Sequence, residues 1–193
     1  MPPNVSDFEQ EATSIDGLLL LRSKQVTDER GTVRELYRKS VFQSLGDGSL
    51  SVPRQVNLTS SGLGAIRGLH GEDMTKLVGV AAGRAFGAYL DARPGSGSFG
   101  TLLTLELEPG MQVLVPSGVC NGFQAVSEGC LYLYCFDAEW APTMAGVAVS
   151  PLDPDLSIPW PLAIDRGNRA LISEKDATLP NFADLGLHRE LVN

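Results

Sequence analysis

The sequence predicts an all-β protein, built as a sandwich or a barrel. Short runs of aliphatic and aromatic residues recur about every ten residues, Gly- and Pro-containing turns separate them, and helical periodicity is almost absent. The chain has 193 residues, of which 43% are hydrophobic and 20% are charged, as is usual for a globular protein. We therefore expect a single domain over residues 1–193, with a core large enough to be stable without cross-links.

The N-terminal part of the chain alternates polar segments with short predicted strands. Residues 1–13 are polar and acidic, and we predict that they are flexible. A leucine-rich run at 17–22 predicts a strand, and an extended pattern resumes at 33–37 after a turn at 27–31. Segment 44–51 is rich in Gly and Ser, which is typical of a loop.

The middle of the chain is predicted to supply most of the sheets. Seven runs there have the length and composition of strands, and three turn sequences with Gly and Pro separate some of them. The predicted strands are 54–59, 77–81, 85–91, 100–107, 112–115, 122–126 and 130–136, and the predicted turns are 92–98, 108–110 and 116–118.

Residues 150–193 are predicted to form a C-terminal extension of the same domain. The segment 151–161 is irregular and rich in proline. From Ser173 onward the sequence favours short helices, with Ser173 or Asp176 as the capping residue. No repeat, low-complexity tract or linker divides the chain into two domains.

Charge and cysteine content exclude several classes of protein. The net charge is -8, so a nucleic acid or an anionic membrane is not expected to be the partner. The first residues do not resemble a signal peptide, and no apolar run approaches the roughly 20 residues that span a bilayer. The three cysteines have no C-x-x-C spacing, which favours reduced thiols and a cytoplasmic location. We interpret Cys120 as a packing residue rather than a nucleophile.

His70 is one of only two histidines, and it lies among arginines, amide side chains and a lysine. A metal site normally needs more imidazoles or clustered carboxylates, so this pattern favours one general base facing an anionic, carbonyl-bearing substrate. Gln55 and Asn57 share one face of a predicted strand, and Arg67 and His70 follow on the next strand or its entry turn. Spacing alone leaves open a solvated polar face and a structural histidine.

Two further candidates are ambiguous on their residues alone. Tyr134 shares a strand face with Tyr132, and both could be core residues whose hydroxyls have partners. Asp176 could be a helix cap or a surface charge. The sequence pattern by itself therefore does not assign these residues to a site.

Seven motifs, in order from about Leu18 to about Pro180, resemble the dTDP-4-dehydrorhamnose 3,5-epimerase family. They include a D-x-R-G-x-F-x-E motif with Val33 at the aromatic position, a Q-x-N pair, an R-G-L-H block and an L-S-x-K-D motif. Any one of these is weak evidence, whereas seven in series are specific. The matching segments are 28–35, 54–57, 66–70, 91–100, 115–123, 153–161 and 171–176.

The resemblance implies a cupin or jelly-roll β-sandwich barrel with short C-terminal helices, acting without a metal or another cofactor. It implies that His70 is the catalytic base, that Asp176 orients and charges it, that Tyr134 is the acid on the opposite face of the sugar, and that Lys76 lies near the sugar carbonyl. A dTDP-linked 4-keto-6-deoxy sugar is the implied substrate, and a homodimer the implied assembly. The implied substrate-binding residues are Arg30, Glu35, Gln55, Asn57, Arg67, Asn121, Lys175 and Trp140, the last stacking on the thymine ring.

The implied chemistry suits these residue types. Protons at C3 and C5 of a 4-keto sugar are acidified by the adjacent carbonyl, and a histidine with a pKa of about 6.5 can remove one near neutral pH. The resulting enolate needs a preorganised cation or hydrogen-bond donor, for which Lys76 or a neighbouring amide is the candidate. Arginine binds a diphosphate bidentately.

Two departures from the family leave alternatives open. Only residues 71–75 separate His70 from Lys76, fewer than in the family, so Lys76 could lie elsewhere or the mouth could be more open. Asn121 stands where the family usually has a histidine, and it cannot titrate near pH 7. Epimerisation at C3 or C5 alone is therefore one interpretation. The others are a 3,4-ketoisomerase, a non-catalytic sugar-nucleotide binding cupin and, least favoured, a metal-dependent cupin oxygenase.

Overall fold

Strands account for most of the regular structure in the computed structural model, which describes residues 3–187. Within that range there are fourteen strands, two short α-helices and two 3₁₀ turns. The strands are β1 (Asn4–Ser6), β2 (Glu9–Ala12), β3 (Leu19–Arg22), β4 (Lys24–Asp28), β5 (Gly31–Glu35), β6 (Gln55–Ser61), β7 (Ile66–Glu72), β8 (Lys76–Ala82), β9 (Ala85–Asp91), β10 (Leu102–Leu107), β11 (Met111–Val115), β12 (Val119–Ala125), β13 (Cys130–Phe136) and β14 (Gly146–Ala148). The helices are α1 (Lys39–Phe42) and α2 (Glu174–Ala177), and the 3₁₀ turns are Ser49–Ser51 and Phe182–Leu185.

The strands of the described residues form two large sheets and one small one, with antiparallel pairing throughout. The five-stranded sheet has the order β10-β9-β12-β7-β14, the six-stranded sheet β2-β3-β11-β8-β13-β6, and the small sheet β1-β4-β5. Neighbours such as β7 and β12 are far apart in sequence, as crossing connections between two packed sheets require. The arrangement confirms the predicted all-β class and has the cupin-like jelly-roll form.

The main core lies between the two large sheets. Tyr89 and Phe123 come from the five-stranded sheet, and Val78, Val113 and Tyr132 come from the six-stranded sheet. The Phe123 and Tyr132 rings stack across the gap with centroids 3.9 Å apart and planes 3° apart. Burying each such side chain contributes roughly 1.5–3 kcal/mol, so this cluster fixes the distance between the sheets. The polar residues of the candidate site therefore stand on facing walls of one rigid sandwich.

The structure agrees closely with the predicted strands in the middle of the chain. Strands β9 and β13 have the predicted bounds, whereas β14 had no prediction because its three residues show no pattern. Helix α2 begins after Ser173, whose side-chain oxygen accepts a hydrogen bond from the backbone N–H of Asp176. Ser173, and not Asp176, is thus the cap.

The N-terminal segment differs from its prediction. Strands β1 and β2 lie within residues 1–13, which the sequence predicts to be flexible. Both strands are exposed and pair through backbone ladders, β1 with β4 and β2 with β3. A polar sequence does not reveal pairing of this kind, since the backbone makes the contacts. Residues 1, 2 and 188–193, at the ends of the predicted flexible segment and C-terminal extension, lie outside the described residues.

Cys120, Cys130 and Cys135 are all buried free thiols. Cys120 packs in an apolar cluster with Leu69 and Leu90, and burial raises the pKa of its thiol to about 12. A thiol in this setting is a packing residue, as predicted. None of the helices within residues 3–187 has the length and apolar character needed to cross a bilayer.

Candidate active site

A cavity of about 450 Å³ opens between the two large sheets and brings most of the predicted site residues together. Strands β6, β7, β8, β12 and β13 form its walls, and residues 169–173, 175 and 176 close one side. Alternation along the strands directs every second side chain inward. Arg67 lines the cavity as well, although it is three positions before His70, because the β7–β12 register shifts between these two residues. Ten of the twelve predicted residues line it: Gln55, Asn57, Arg67, His70, Lys76, Asn121, Tyr134, Trp140, Lys175 and Asp176.

His70 lies on β7 and is hydrogen-bonded to a carboxylate. Its Nε2 atom is 2.8 Å from Oδ1 of Asp176. A carboxylate partner assigns the proton to Nε2, so the lone pair of Nδ1 can accept a proton from a ligand. The His70 side chain is 25% exposed, which leaves the ring accessible from the cavity. The arrangement is that of an oriented general base.

Asp176 is held in place by the first turn of α2. Its backbone N–H donates to the Ser173 hydroxyl, and the helix packs against β7. Burial would raise the pKa of this carboxyl, but the hydrogen bond and charge of His70, with help from Ser173 and the Gly68 backbone, lower it below its ordinary value. Asp176 is therefore ionised at neutral pH and stabilises an imidazolium at His70.

Tyr134 stands on the opposite wall from His70. It lies on β13 in the six-stranded sheet, directly across from Asn57 on β6 and Val78 on β8. Burial raises the pKa of its phenol well above the ordinary value, although the charge of Arg67 opposes the shift. The phenol consequently stays protonated at neutral pH and can act as a proton donor.

Lys76 lies inside the cavity, so the short 71–75 segment does not displace it from His70. Its ammonium bridges the two large sheets, because β8 carries it while three acceptors come from β7 and β12. It donates to the His70 carbonyl at 2.9 Å and to Oδ1 of Asn121 at 2.8 Å, and it forms an ion pair with Glu72. Burial acts against ionisation of Glu72, but the Lys76 charge and hydrogen bond lower its pKa overall. The side chain of Lys76 is only 3% exposed.

Polar and aromatic side chains form the outer part of the cavity. Gln55 donates through Nε2 to Oδ1 of Asn57 at 3.1 Å, and its Oε1 accepts from the Trp140 backbone at 2.7 Å. Trp140 is 47% exposed as a residue and lines the cavity, which suits its ring as a stacking surface for a flat ligand. Arg67 reaches the Ser61 hydroxyl at 3.3 Å through Nε.

The cavity favours an anionic ligand although the chain is acidic. Four cationic side chains line it, namely Arg67, Lys76, Arg169 and Lys175, against the two carboxylates of Glu72 and Asp176. The carboxylates are both engaged, one with Lys76 and the other with His70. Excess positive charge in a partly enclosed site attracts groups such as phosphates.

Arg30 and Glu35 are the two predicted residues that the structure does not bring to the cavity of their own chain. Both belong to the small sheet and its hairpin turn, where Arg30 pairs with Asp28 at 2.6 Å and Glu35 pairs with Arg38. A sequence motif identifies residue types but not their distance from a site formed by distant strands. Substrate binding by Arg30 and Glu35 stays a prediction.

Sequence reasoning missed two charged residues that line the cavity. Glu72 lies two positions after His70 on β7, so strand alternation was a signal that could have found it. Arg169 lies in an irregular segment with no periodic pattern, and no local signal marks it. Within the described part of the chain, no group of three or more His, Cys, Asp or Glu side chains could hold a metal ion.

The cavity can perform proton transfer at carbon. A base with a carboxylate partner lies on one wall, a protonated phenol lies on the facing wall, and hydrogen-bond donors surround the space between them. Such a pair can remove a proton from one face of a ligand and return one to the other.

Comparison with known proteins shows similarity along most of the chain. A family model described as dTDP-4-dehydrorhamnose 3,5-epimerase matches residues 12–184. The dTDP-4-dehydrorhamnose 3,5-epimerase of Methanothermobacter thermautotrophicus is 33% identical over 178 residues, which cover 89% of this chain and 93% of that protein.

Solved structures of sugar epimerases superpose on most of the chain. NovW, a 4-keto-6-deoxy sugar epimerase from the novobiocin biosynthetic gene cluster of Streptomyces spheroides, superposes with a TM-score of 0.83 at 26% identity, covering 97% of this chain and 96% of that one. ChmJ, a 3'-monoepimerase from Streptomyces bikiniensis solved in complex with dTDP-quinovose, superposes with a TM-score of 0.79 at 26% identity, covering 92% and 91%.

Proposed function

The chain belongs to the dTDP-4-dehydrorhamnose 3,5-epimerase family, and we propose that it inverts C3, C5 or both centres of a dTDP-linked 4-keto-6-deoxyhexose in deoxysugar biosynthesis. The single observation that carries this proposal is the placement of the His70–Asp176 pair and Tyr134 on facing walls of one cavity. Inversion of a carbon centre requires a base on one face and an acid on the other, and these residues supply both.

The first step is abstraction of a proton next to the keto group. Nδ1 of His70 takes the proton, the C–H bond breaks, and its electron pair forms a carbon–carbon double bond while the carbonyl becomes an enolate. Asp176 accepts the Nε2 hydrogen bond throughout and stabilises the imidazolium that forms. No electrons leave the substrate, so the step needs no oxidant or reductant.

The second step returns a proton from the other side. The Tyr134 hydroxyl donates its proton to the planar carbon, the enolate becomes a carbonyl again, and the configuration is inverted. Burial keeps this phenol protonated until it is needed, because it raises the pKa of Tyr134 well above neutral pH. Proton exchange with solvent then restores Tyr134 and His70 for another turnover.

The outer cavity is suited to the nucleotide part of the substrate. Arg67, Arg169 and Lys175 offer charge to a diphosphate, and guanidinium groups bind such oxyanions bidentately. The exposed ring of Trp140 offers a stacking surface to the thymine base. Gln55 and Asn57 supply amide groups beside that ring.

We also propose that the protein forms a homodimer, with the N-terminal strands extending the partner's sheet. The small sheet exposes Val5 by 51% and Val33 by 74%, and Val26 lies between them in register. An exposed apolar row on a sheet with open edges is stabilised by pairing with a second copy. Analytical ultracentrifugation tests this: a monomer at micromolar concentration would contradict it.

The test of the function is proton NMR of dTDP-4-keto-6-deoxyglucose with the protein in deuterated buffer. We expect loss of the signal at C3, C5 or both, and no loss with His70→Ala. The centres that exchange identify the specificity directly. Absence of exchange with the wild type, under conditions where the nucleotide sugar binds, would overturn the proposal.

A further inference from the structure

The Lys76 ammonium has no donor left for a ligand. A lysine side chain offers three N–H groups, and here the acceptors are the His70 carbonyl, Oδ1 of Asn121 and the Glu72 carboxylate. All three acceptors belong to strands of the facing sheet, and the side chain is almost fully buried. Lys76 can reach a substrate oxygen only by giving up one of these three contacts, each of which is charge-assisted because the ammonium is the donor.

The contact with Lys76 fixes the orientation of the Asn121 amide. An ammonium group cannot accept a hydrogen bond, so the atom facing it must be the carbonyl oxygen Oδ1, and Nδ2 must point the other way. No hydrogen bond engages Nδ2 among residues 3–187. Within that range, the polar side-chain atoms that are both fully buried and unpaired are the hydroxyls of Tyr89 and Tyr132. Nδ2 is unpaired but is not one of these buried atoms, so it is accessible from the cavity that Asn121 lines.

Asn121 is also the immediate neighbour of the base. It lies directly across from His70 in the β12–β7 ladder, and such cross-strand pairs have Cβ atoms about 4.5–5.5 Å apart. The carbonyl oxygen of a 4-keto sugar is two bonds from the carbon that loses its proton. A donor adjacent to His70 is therefore positioned where the enolate charge develops.

We infer that Asn121 is a catalytic residue that donates through Nδ2 to the keto oxygen and its enolate, while Lys76 is a positioning residue acting through Oδ1 of Asn121. This inference rests on the proposed epimerase function and deepens it. Lys76 polarises the amide from behind, which strengthens Nδ2 as a donor without direct contact between the ammonium and the substrate. Glu72 anchors Lys76 in that position.

Asn121→Ala and Asn121→His distinguish Asn121 from Lys76 as the direct donor to the keto oxygen. Loss of one oxyanion donor lowers kcat by about 10²–10³-fold, and we expect this loss in Asn121→Ala with little change in KM. A histidine can accept from Lys76 and still donate into the cavity, so Asn121→His should stay within about tenfold of the wild type. If Lys76 were the direct donor, Asn121→Ala would free one of its N–H groups, and a kcat equal to or above that of the wild type would overturn the inference.

A double-mutant cycle tests the role of Lys76. It is measured in the Glu72→Gln background, so that removal of the ammonium leaves no unpaired carboxylate. We expect Lys76→Met alone to lower kcat. Combined with Asn121→Ala, it should add less than about threefold to the loss that Asn121→Ala already causes, because both changes impair the same donor, Nδ2 of Asn121. Independent, multiplicative losses would show that Lys76 acts on the substrate itself and would overturn its positioning role.

Binding of dTDP, which has no keto group, reports whether the variants fold. Calorimetric affinity within about threefold of the wild type is expected for each variant, and thermal melts provide a second check. Failure of the epimerase proposal is distinguishable, since it appears as absence of exchange in the wild type and removes this inference with it. Exchange in the wild type together with undiminished exchange in Asn121→Ala overturns the inference alone.

Discussion

Nε2 of His70 lies 2.8 Å from Oδ1 of Asp176, although 106 residues separate them in sequence. The contact joins the five-stranded sheet to the C-terminal segment, since β7 carries one partner and α2 the other. Asp176 is nearly buried, with an exposed side-chain fraction of 8%. A carboxylate in that setting orients the imidazole and selects its tautomer, so the C-terminal segment is part of the site rather than an appendage.

Asp176→Asn is expected to lower kcat on the order of 10³-fold while the protein remains folded, because a neutral amide neither stabilises the imidazolium nor enforces the same tautomer. The rate of deuterium incorporation at C3 and C5 measures the loss. Asp153→Asn is a matched control, since Asp153 is also buried but accepts backbone hydrogen bonds outside the cavity. Equal kcat values for the two variants would contradict the role of Asp176.

Tyr134→Phe should uncouple exchange from inversion. His70 can still remove and return a proton on its own face, so we expect deuterium incorporation with retained configuration and at least 10²-fold slower formation of the inverted sugar. One-dimensional proton NMR distinguishes the two products by their coupling constants. A 3,4-ketoisomerase needs no acid on the opposite face, so unchanged turnover in this variant would favour that alternative.

Much of the fold was accessible from the sequence because strands and turns are locally encoded. The strands 85–91 and 130–136 are apolar runs that begin one or two residues after a glycine, and the structure reproduces their bounds. Strands β1 and β2 were not predicted, since their stability comes from backbone pairing with β4 and β3. Pairing partners are a long-range property that local composition does not report.

The candidate site was likewise predictable from the sequence only in part. Residues within recognisable motifs, such as His70 and Asp176, could be assigned by resemblance, but their mutual contact depends on how the tail folds over β7. The three contacts of Lys76 could not be predicted, because they join residues of two different sheets. How those sheets pack against each other is determined by the core and not by local sequence. Arg169 was missed since an irregular segment gives no periodicity to analyse.

Trp140→Ala should weaken dTDP binding by about tenfold, since stacking of a base on an aromatic ring contributes roughly 1–3 kcal/mol. Trp140→Phe keeps a ring and should lose less. Isothermal titration calorimetry with dTDP measures both. The second tryptophan, Trp160, hydrogen-bonds to the Pro151 carbonyl at 2.8 Å, away from the cavity, so Trp160→Phe is the control and should leave dTDP affinity unchanged. Equal affinities for Trp140→Ala and the wild type would exclude stacking.

Tyr132→Phe is expected to leave the free energy of unfolding unchanged or to raise it by about 1 kcal/mol. The Tyr132 hydroxyl is fully buried, and its interaction with the Tyr89 hydroxyl falls short of a hydrogen bond of regular geometry, so its removal relieves a desolvation cost. Tyr37→Phe is the matched control, because the Tyr37 hydroxyl donates to the Ser51 carbonyl, and it should destabilise by about 1 kcal/mol. Urea unfolding measures both, and a destabilisation of Tyr132→Phe as large as that of Tyr37→Phe would contradict the prediction.

The acid stability of the fold depends in part on Asp91. This carboxylate is fully buried, and burial alone would raise its pKa, but hydrogen bonds from Arg93, Ser96 and Ser98 lower the pKa from 3.8 to about 2. A carboxyl whose pKa is lower in the folded state stabilises the fold above the unfolded value. We therefore expect a contribution of about 2 kcal/mol that is complete above about pH 5 and is lost as the pH falls through 3.8 to about 2.

Asp91→Asn provides the comparison, because an amide has nearly the same shape and does not titrate. The variant should be less stable than the wild type at pH 7, and the difference between the two should shrink as the pH falls towards 2. Urea unfolding at a series of pH values measures this directly, with Glu128→Gln on an exposed turn as the control. A difference between wild type and Asp91→Asn that stays constant from pH 7 to pH 2 would show that Asp91 contributes through packing and not through its charge.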